Sequence, residues 1–267
     1  MYRTWFSRSA KVADKECSLV FFVFVLLTFG IANQGFIVFT KAQAATSPTE
    51  RKLQVCTEIP PSSFQAAGRL NLFWKNKEIL RVGFLDGSPF VQAQVRKYAS
   101  IWNQCGRIKF EFRETGPFDI RVSFTPDGKS WSYIGTDAEK VAEGKPTMNF
   151  GWFDENTSDV EFRRTVLHEF GHVLGLIHEH QSPAAGIPWN EAIVYKYYWE
   201  KFRWNRNRVN ENIFKKYEAT QTQYTAYDPA SIMHYPIPAE FRMDGVSIGW
   251  NTDLSPTDMA FIHQIYH

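Results

Sequence analysis

The chain has 267 residues, 44% hydrophobic and 16% aromatic, which is enough for one large domain or two small ones with a substantial core. Residues 1–44 hold five of the 30 Lys and Arg and two of the 28 Asp and Glu, so the remaining chain carries 25 against 26, a net of −1. The near-zero balance sets nucleic acid aside as an expected partner, and there is no internal repeat.

The first 44 residues read as a targeting segment. Arg3, Arg8, Lys11 and Lys15 make a basic start, Leu19 to Ile31 is nearly all apolar, and Ala42-Gln43-Ala44 is a small-x-small site of the kind cleaved by signal peptidases. This predicts a signal peptide over 1–44, a mature chain from Ala45, and a secreted, extracellular or periplasmic protein. The same stretch is long enough to serve as an uncleaved membrane anchor, although Asn33 and Gln34 weigh against a stable span. Beyond it lie Cys56 and Cys105, an even pair that admits either one disulfide or two separate thiols.

Residues 45–78 form a polar lead-in containing Pro60-Pro61. A strand over Ile79 to Leu85 ends at Asp86-Gly87, and Val91, Val95, Tyr98 and Trp102 then mark one stripe of a helix. Ile108, Phe110 and Phe112 alternate with Lys109, Glu111 and Arg113, and Ile120, Val122 and Phe124 alternate with Arg121 and Ser123, giving two strands with one polar face each. Short strands follow at Trp131 to Ile134, closed by Gly135, and at Thr147 to Phe153. Ser158 with Glu161 makes a capping box for a helix whose apolar face is Val160, Val166, Leu167, Phe170, Val173 and Leu174. This order predicts an α+β domain over 79–267: a mixed twisted sheet with two helices packed on it and one edge strand.

That second helix carries His168-Glu169-Phe170-Gly171-His172-Val173-Leu174-Gly175-Leu176-Ile177-His178. His168 and His172 are four apart, so their imidazoles leave one face of a helix and can grip one ion. Glu169 sits one step round, within reach of a water at the metal without being a ligand. Gly175 can take the left-handed conformation that ends a helix and turns His178 back toward the same ion. Three neutral imidazoles and an open position describe a catalytic zinc site and not a closed structural one. His180, His234, His263 and His267 are left to packing or surface roles.

After His178 the chain becomes irregular, with Pro183, Gly186 and Pro188. Asn190 can cap a helix running to about Phe202, and Ser255-Pro256-Thr257-Asp258 starts a last helix with Met259, Ile262 and Ile265 on one side. These elements are expected to form a lower lobe of the same catalytic unit.

The extended histidine motif resembles that of the metzincin proteases. Ser231-Ile232-Met233-His234-Tyr235 resembles their methionine turn, and Glu179 directly after His178 is similar to the astacins. The resemblance spans roughly Ile79 to Tyr266, departing at Gln181-Ser182-Pro183-Ala184. It implies a two-lobed fold, one catalytic Zn2+ on His168, His172 and His178, Glu169 as general base, Met233 as an apolar floor, and Tyr235 as a further ligand that swings off to stabilise the transition state. It implies a protein or peptide substrate lying extended along the edge strand near Trp131 to Gly135. The expected activity is a secreted zinc endopeptidase. The rival is a non-catalytic or membrane-tethered zinc-fold protein-binding module, whose sequence sign would be loss of Glu169, which is present.

Overall fold

The computed structural model describes residues 71–75 and 78–267, all of which fall in one compact unit. The targeting segment, Cys56 and most of the lead-in lie outside the described residues. Cys105 is buried with a free thiol.

Five strands and two helices build the upper part in the expected order: β1 (Ile79–Phe84), α1 (Pro89–Ala99), β2 (Lys109–Phe112), β3 (Ile120–Ser123), β4 (Ser130–Ser132), β5 (Met148–Phe150) and α2 (Asp159–Val173). The sheet order is β2-β1-β3-β5-β4. β2, β1, β3 and β5 run parallel, and β4 joins β5 antiparallel, with Trp131 opposite Asn149, leaving β4 at the edge. The mixed α+β architecture read from the sequence is therefore the one observed.

Three local expectations change. β3 is buried along its whole length, Arg121 and Ser123 included, because a strand inside a parallel sheet is covered on both faces. The Arg121 guanidinium meets that burial by donating to the carbonyls of Phe118, Val141 and Lys145, and burial lowers its pKa. At the start of α2, the Ser158 side chain accepts from Glu161 N–H, but the Glu161 carboxylate turns to Trp152, Arg164 and Thr165, so the box is one-sided. Val160 is 56% exposed and does not join the apolar face.

The face that is buried fixes α2 against the sheet. Phe170 meets Phe110 edge to face with ring centres 4.8 Å apart, and Trp102 Nε1 donates to Leu167 O at 3.0 Å from the turn following α1. The end of the lead-in belongs to this core as well: Phe73 and Trp74 are buried in it, and Trp74 Nε1 donates to Val173 O at 2.7 Å. Chain on both sides thus clamps the helix that carries the histidines.

The lower part holds α3 (Glu191–Phe202), α4 (Arg206–Val209), a π-helical turn (Asn210–Phe214) and α5 (Pro256–Ile265). Val194, Tyr198, Trp204, Val209, Ile213, Ile237 and Phe241 make a second apolar cluster. α5 packs instead on the upper core through Ile262 and Tyr266. Its capping box is complete: Ser255 Oγ accepts from Asp258 N–H and the Asp258 carboxylate accepts from Ser255 N–H. No helix among the described residues is long and apolar enough to cross a membrane.

Candidate metal centre

His168, Glu169 and His172 lie in the last two turns of α2, all three buried. Gly175 follows with φ +91°, a backbone conformation that disfavours any side chain, and a Cβ there would come within 2.7 Å of the Phe73 ring. The chain turns at that point and delivers His178. Nitrogens of His168, His172 and His178 lie within 4.8 Å of one another.

The surrounding carbonyls fix the tautomers. His168 Nδ1 faces Ile232 O and His172 Nδ1 faces Leu176 O, each at 2.9 Å. A carbonyl only accepts, so both rings carry their proton on Nδ1 and turn a bare Nε2 lone pair inward. His168 Nε2 is buried with no hydrogen-bond partner. His172 Nε2 and His178 Nε2 are 3.2 Å apart. Tetrahedral zinc with Zn–N of ~2.0–2.1 Å separates its ligand nitrogens by roughly 3.3–3.4 Å. An unpartnered buried lone pair and a nitrogen pair at ligand spacing fit that ion, and the backbone carbonyls behind two rings are the outer support a ligating histidine needs.

Beneath the rings passes the 231–235 turn. Met233 Sδ lies against Gly171, where any added Cβ would collide with it, so the glycine between the two histidines of α2 is what admits the methionine. The Tyr235 ring centre is 4.1 Å from that of His178 and 6.0 Å from that of His168. The three histidines and Tyr235 are therefore close together, and Glu169 adjoins His168 on α2.

Residues 68–267 match the model of the peptidase family Astacin. The chain belongs to the astacin family. It is similar to two solved structures of myroilysin. One is 47% identical with a TM-score of 0.72, over 74% of this chain and 96% of that one. The other is 43% identical with a TM-score of 0.61, over 81% and 92%. High choriolytic enzyme 1, a hatching enzyme zinc-protease of the medaka fish Oryzias latipes, shares the fold at 18% identity and a TM-score of 0.51, over 73% of this chain and 94% of that one. Zinc metalloproteinase nas-38 of Caenorhabditis elegans is 25% identical over 167 residues, 61% of this chain and 20% of that protein, so the chain spans about a fifth of that relative's length. The astacins are a zinc peptidase family, and the three-histidine cluster of this member fits a zinc site.

Other residues of this astacin's site were not legible as such. In the sequence Asp258 stands out as a helix-start acid and as part of an ending that resembles the astacins. Its carboxylate also accepts from Ser231 Oγ at 2.7 Å and Ile232 N–H at 2.8 Å, holding the methionine turn from below. Glu179, read as a family marker, accepts from Asp228 N–H at 2.8 Å, while its own N–H donates to Met233 O. His180 is buried, with Nε2 on Asn212 O at 3.0 Å and its ring stacked on Tyr235 at 4.8 Å, so it packs behind the site.

Five histidines are held neutral by burial. His168 and His178 lie well below the usual range, His172 and His234 are lowered to about 4, and His180 to about 3. Unfolded, each would take up a proton near its ordinary pKa. As pH falls from about 6.5 toward 4, the unfolded state therefore binds more protons and the metal-free fold loses stability. Glu179, raised to about 7 by burial, and Asp258, also raised by burial, act in the opposite sense but number two against five. The melting temperature of chelator-treated protein is expected to be lower at about pH 5 than at about pH 7; an equal or higher value would contradict the buried neutral rings.

Ligand and packing histidines separate by substitution. His178→Ala is expected to weaken zinc binding by more than the roughly 10–100-fold typical of outer-shell changes, and His180→Ala by no more than that range. Competition against a colorimetric chelator measures both, and equal affinities for wild type and His178→Ala would remove His178 from the metal.

Proposed function

We propose that this chain is a secreted zinc endopeptidase in which His168, His172 and His178 hold the ion and Glu169 is the general base. The observation that carries the reading is the convergence of three imidazole nitrogens within 4.8 Å, with the buried Glu169 beside the first of them on α2. Secretion is supported by the basic start, apolar run and small-x-small site of residues 1–44. Cleavage after Ala44 gives an extracellular or periplasmic protein.

Zinc, when bound, supplies Lewis acidity that polarises a carbonyl oxygen and brings the pKa of water toward neutrality. The protein's groups do the rest. The Glu169 carboxylate takes a proton from the attacking water and then delivers it to the amine nitrogen as the peptide C–N bond breaks. Burial of that carboxylate in the apolar wall of α2 keeps bulk water from competing for the proton. Tyr235 packs on the His178 ring and is only half-buried, and in this reading it donates its O–H to the carbonyl oxygen as negative charge develops there. The substrate lies extended along the segment from Trp131 to Gly135, whose first two residues belong to β4, adding a strand to the edge of the sheet. The parallel strands behind β4 give that edge a rigid backing.

Two variants test these roles. Glu169→Gln is expected to abolish casein hydrolysis while leaving zinc content unchanged, because the carboxylate moves protons and does not bind the ion. Substantial residual turnover would mean another group takes the proton. Tyr235→Phe is expected to lower kcat by about 10²–10³-fold with little change in KM, as for an oxyanion donor engaged mainly in the transition state. Lower thermal stability with kcat unaltered would instead make Tyr235 a packing residue.

A further inference from the structure

The lower lobe carries a surface that the hydrolytic site does not use. Residues 191–216 contain seven Lys and Arg (Lys196, Lys201, Arg203, Arg206, Arg208, Lys215 and Lys216) and three acids (Glu191, Glu200 and Glu211), a net of +4. Since residues 45–267 sum to −1, the rest of that chain carries −5, and the positive charge is concentrated in this one segment.

Its arrangement is specific. Arg203, Arg206 and Arg208 are exposed, and each guanidinium lies over an aromatic ring: Arg203 over Trp199 at 5.7 Å, Arg206 over Tyr195 at 4.5 Å and Arg208 over Trp204 at 4.4 Å. Tyr195 and Trp199 are four apart on α3, so two of these rings sit on one helix face about 6 Å apart along the axis. Trp204 stacks on Tyr198 of the same helix at 5.1 Å. None of the three arginines forms an ion pair with a described residue, Glu200 on the same helix included. Each exposed guanidinium thus rests on a ring without a counter-charge among the described residues.

The backbone is built to hold this geometry. Arg203 is the one non-glycine among the described residues with positive φ, at 57°, closing α3 with its N–H on Trp199 O and Tyr198 O. Asn205 caps the next turn through Arg208 N–H at 2.9 Å, and Tyr195 O–H donates to Asn210 Oδ1 at 2.5 Å. A sequence that places an arginine at a strained left-handed position, where glycine or asparagine is easier, points to a requirement for that side chain.

We propose that this aromatic-backed arginine surface is an exosite for an acidic, carboxylate-rich stretch of the polypeptide substrate. It rests on the peptidase reading and extends it to the choice of substrate. Exposed guanidinium groups without a counter-charge match carboxylates, which they can bind in bidentate geometry. Nucleic acid is the poorer match, because Trp204 is buried and Tyr195 lies under Arg206, which leaves Trp199 as the one ring of the three open to stack on a base.

The test uses fluorescence anisotropy of a fluorescein-labelled decaglutamate with the purified Glu169→Gln protein, so that the probe stays intact. Saturable binding that weakens with added salt is expected, together with a loss of about tenfold on adding Arg203→Asn, Arg206→Gln and Arg208→Gln. In protein that retains Glu169, the same three substitutions are expected to lower kcat/KM on casein, which is rich in acidic groups, by about tenfold, and to leave a short neutral peptide unaffected. Equal decaglutamate binding with and without the three arginines would overturn the proposal. So would equal binding of a labelled decaglutamine, or binding of heparin or single-stranded DNA where decaglutamate fails to bind. If the combined variant melts early, Arg206→Gln and Arg208→Gln singly carry the comparison, each with a smaller loss in the same direction. Failure of the wild type to cleave any peptide would sink the peptidase reading, and the anisotropy result would still decide whether this surface takes an acidic chain.

Discussion

Three neutral imidazoles must present bare lone pairs to one point inside a dry interior, and the rest of the structure answers to that demand. Burial keeps the rings uncharged, since a buried imidazolium without a partner is costly. Burial alone does not aim them. Aim comes from the carbonyls of Ile232 and Leu176, which hold the Nδ1 protons of His168 and His172. The third ring depends on the left-handed turn at Gly175. The support extends outward: Ile232 sits where it does because Asp258 accepts its N–H, and Asp258 is the first-turn member of the α5 capping box with Ser255. The start of the last helix is thereby linked, through one backbone residue, to the orientation of the first histidine.

The two lobes divide the work. The sheet and α1 hold α2 rigid through Phe110, Trp102 and Trp74, so the first two histidines and Glu169 stand on a fixed frame. The 231–235 turn closes the site from below, and Gly171 makes room for Met233 between the histidines. An alanine at position 171 would suit the helix better and the site worse. β4, held only on its β5 side, gives the frame an open edge where an extended chain can pair.

How much of this is legible in the sequence follows from the range of each interaction. The α2 motif is local, with spacings of four and six set by helical periodicity and one glycine, and all its residues meet as their order implies. The order of strands and helices along the chain also follows from local pattern, whereas the edge position of the Trp131 segment comes from the family resemblance and not from its residues. The alternation in 120–124 misleads, because Arg121 looks like a solvent-face residue until the neighbouring parallel strands bury it and backbone carbonyls satisfy it. Glu161 fits a capping box by spacing, but Trp152, Arg164 and Thr165 compete for its carboxylate. Asp258 carries a long-range role 26 residues from Ile232 that no local pattern records. Leu72, Phe73 and Trp74 lack periodicity, and their place in the core appears only once Val173 O and Tyr266 are beside them.

The central claim is that the buried three-histidine site becomes a peptidase when it holds zinc. The direct measurement is titration of zinc into chelator-stripped protein while following casein hydrolysis. The structure predicts no hydrolysis at the start, a linear rise, and a break at about one zinc per chain, set by a single site with three imidazole donors. Hydrolysis that persists undiminished in the stripped protein, or a protein that takes up zinc and cleaves nothing, would contradict it.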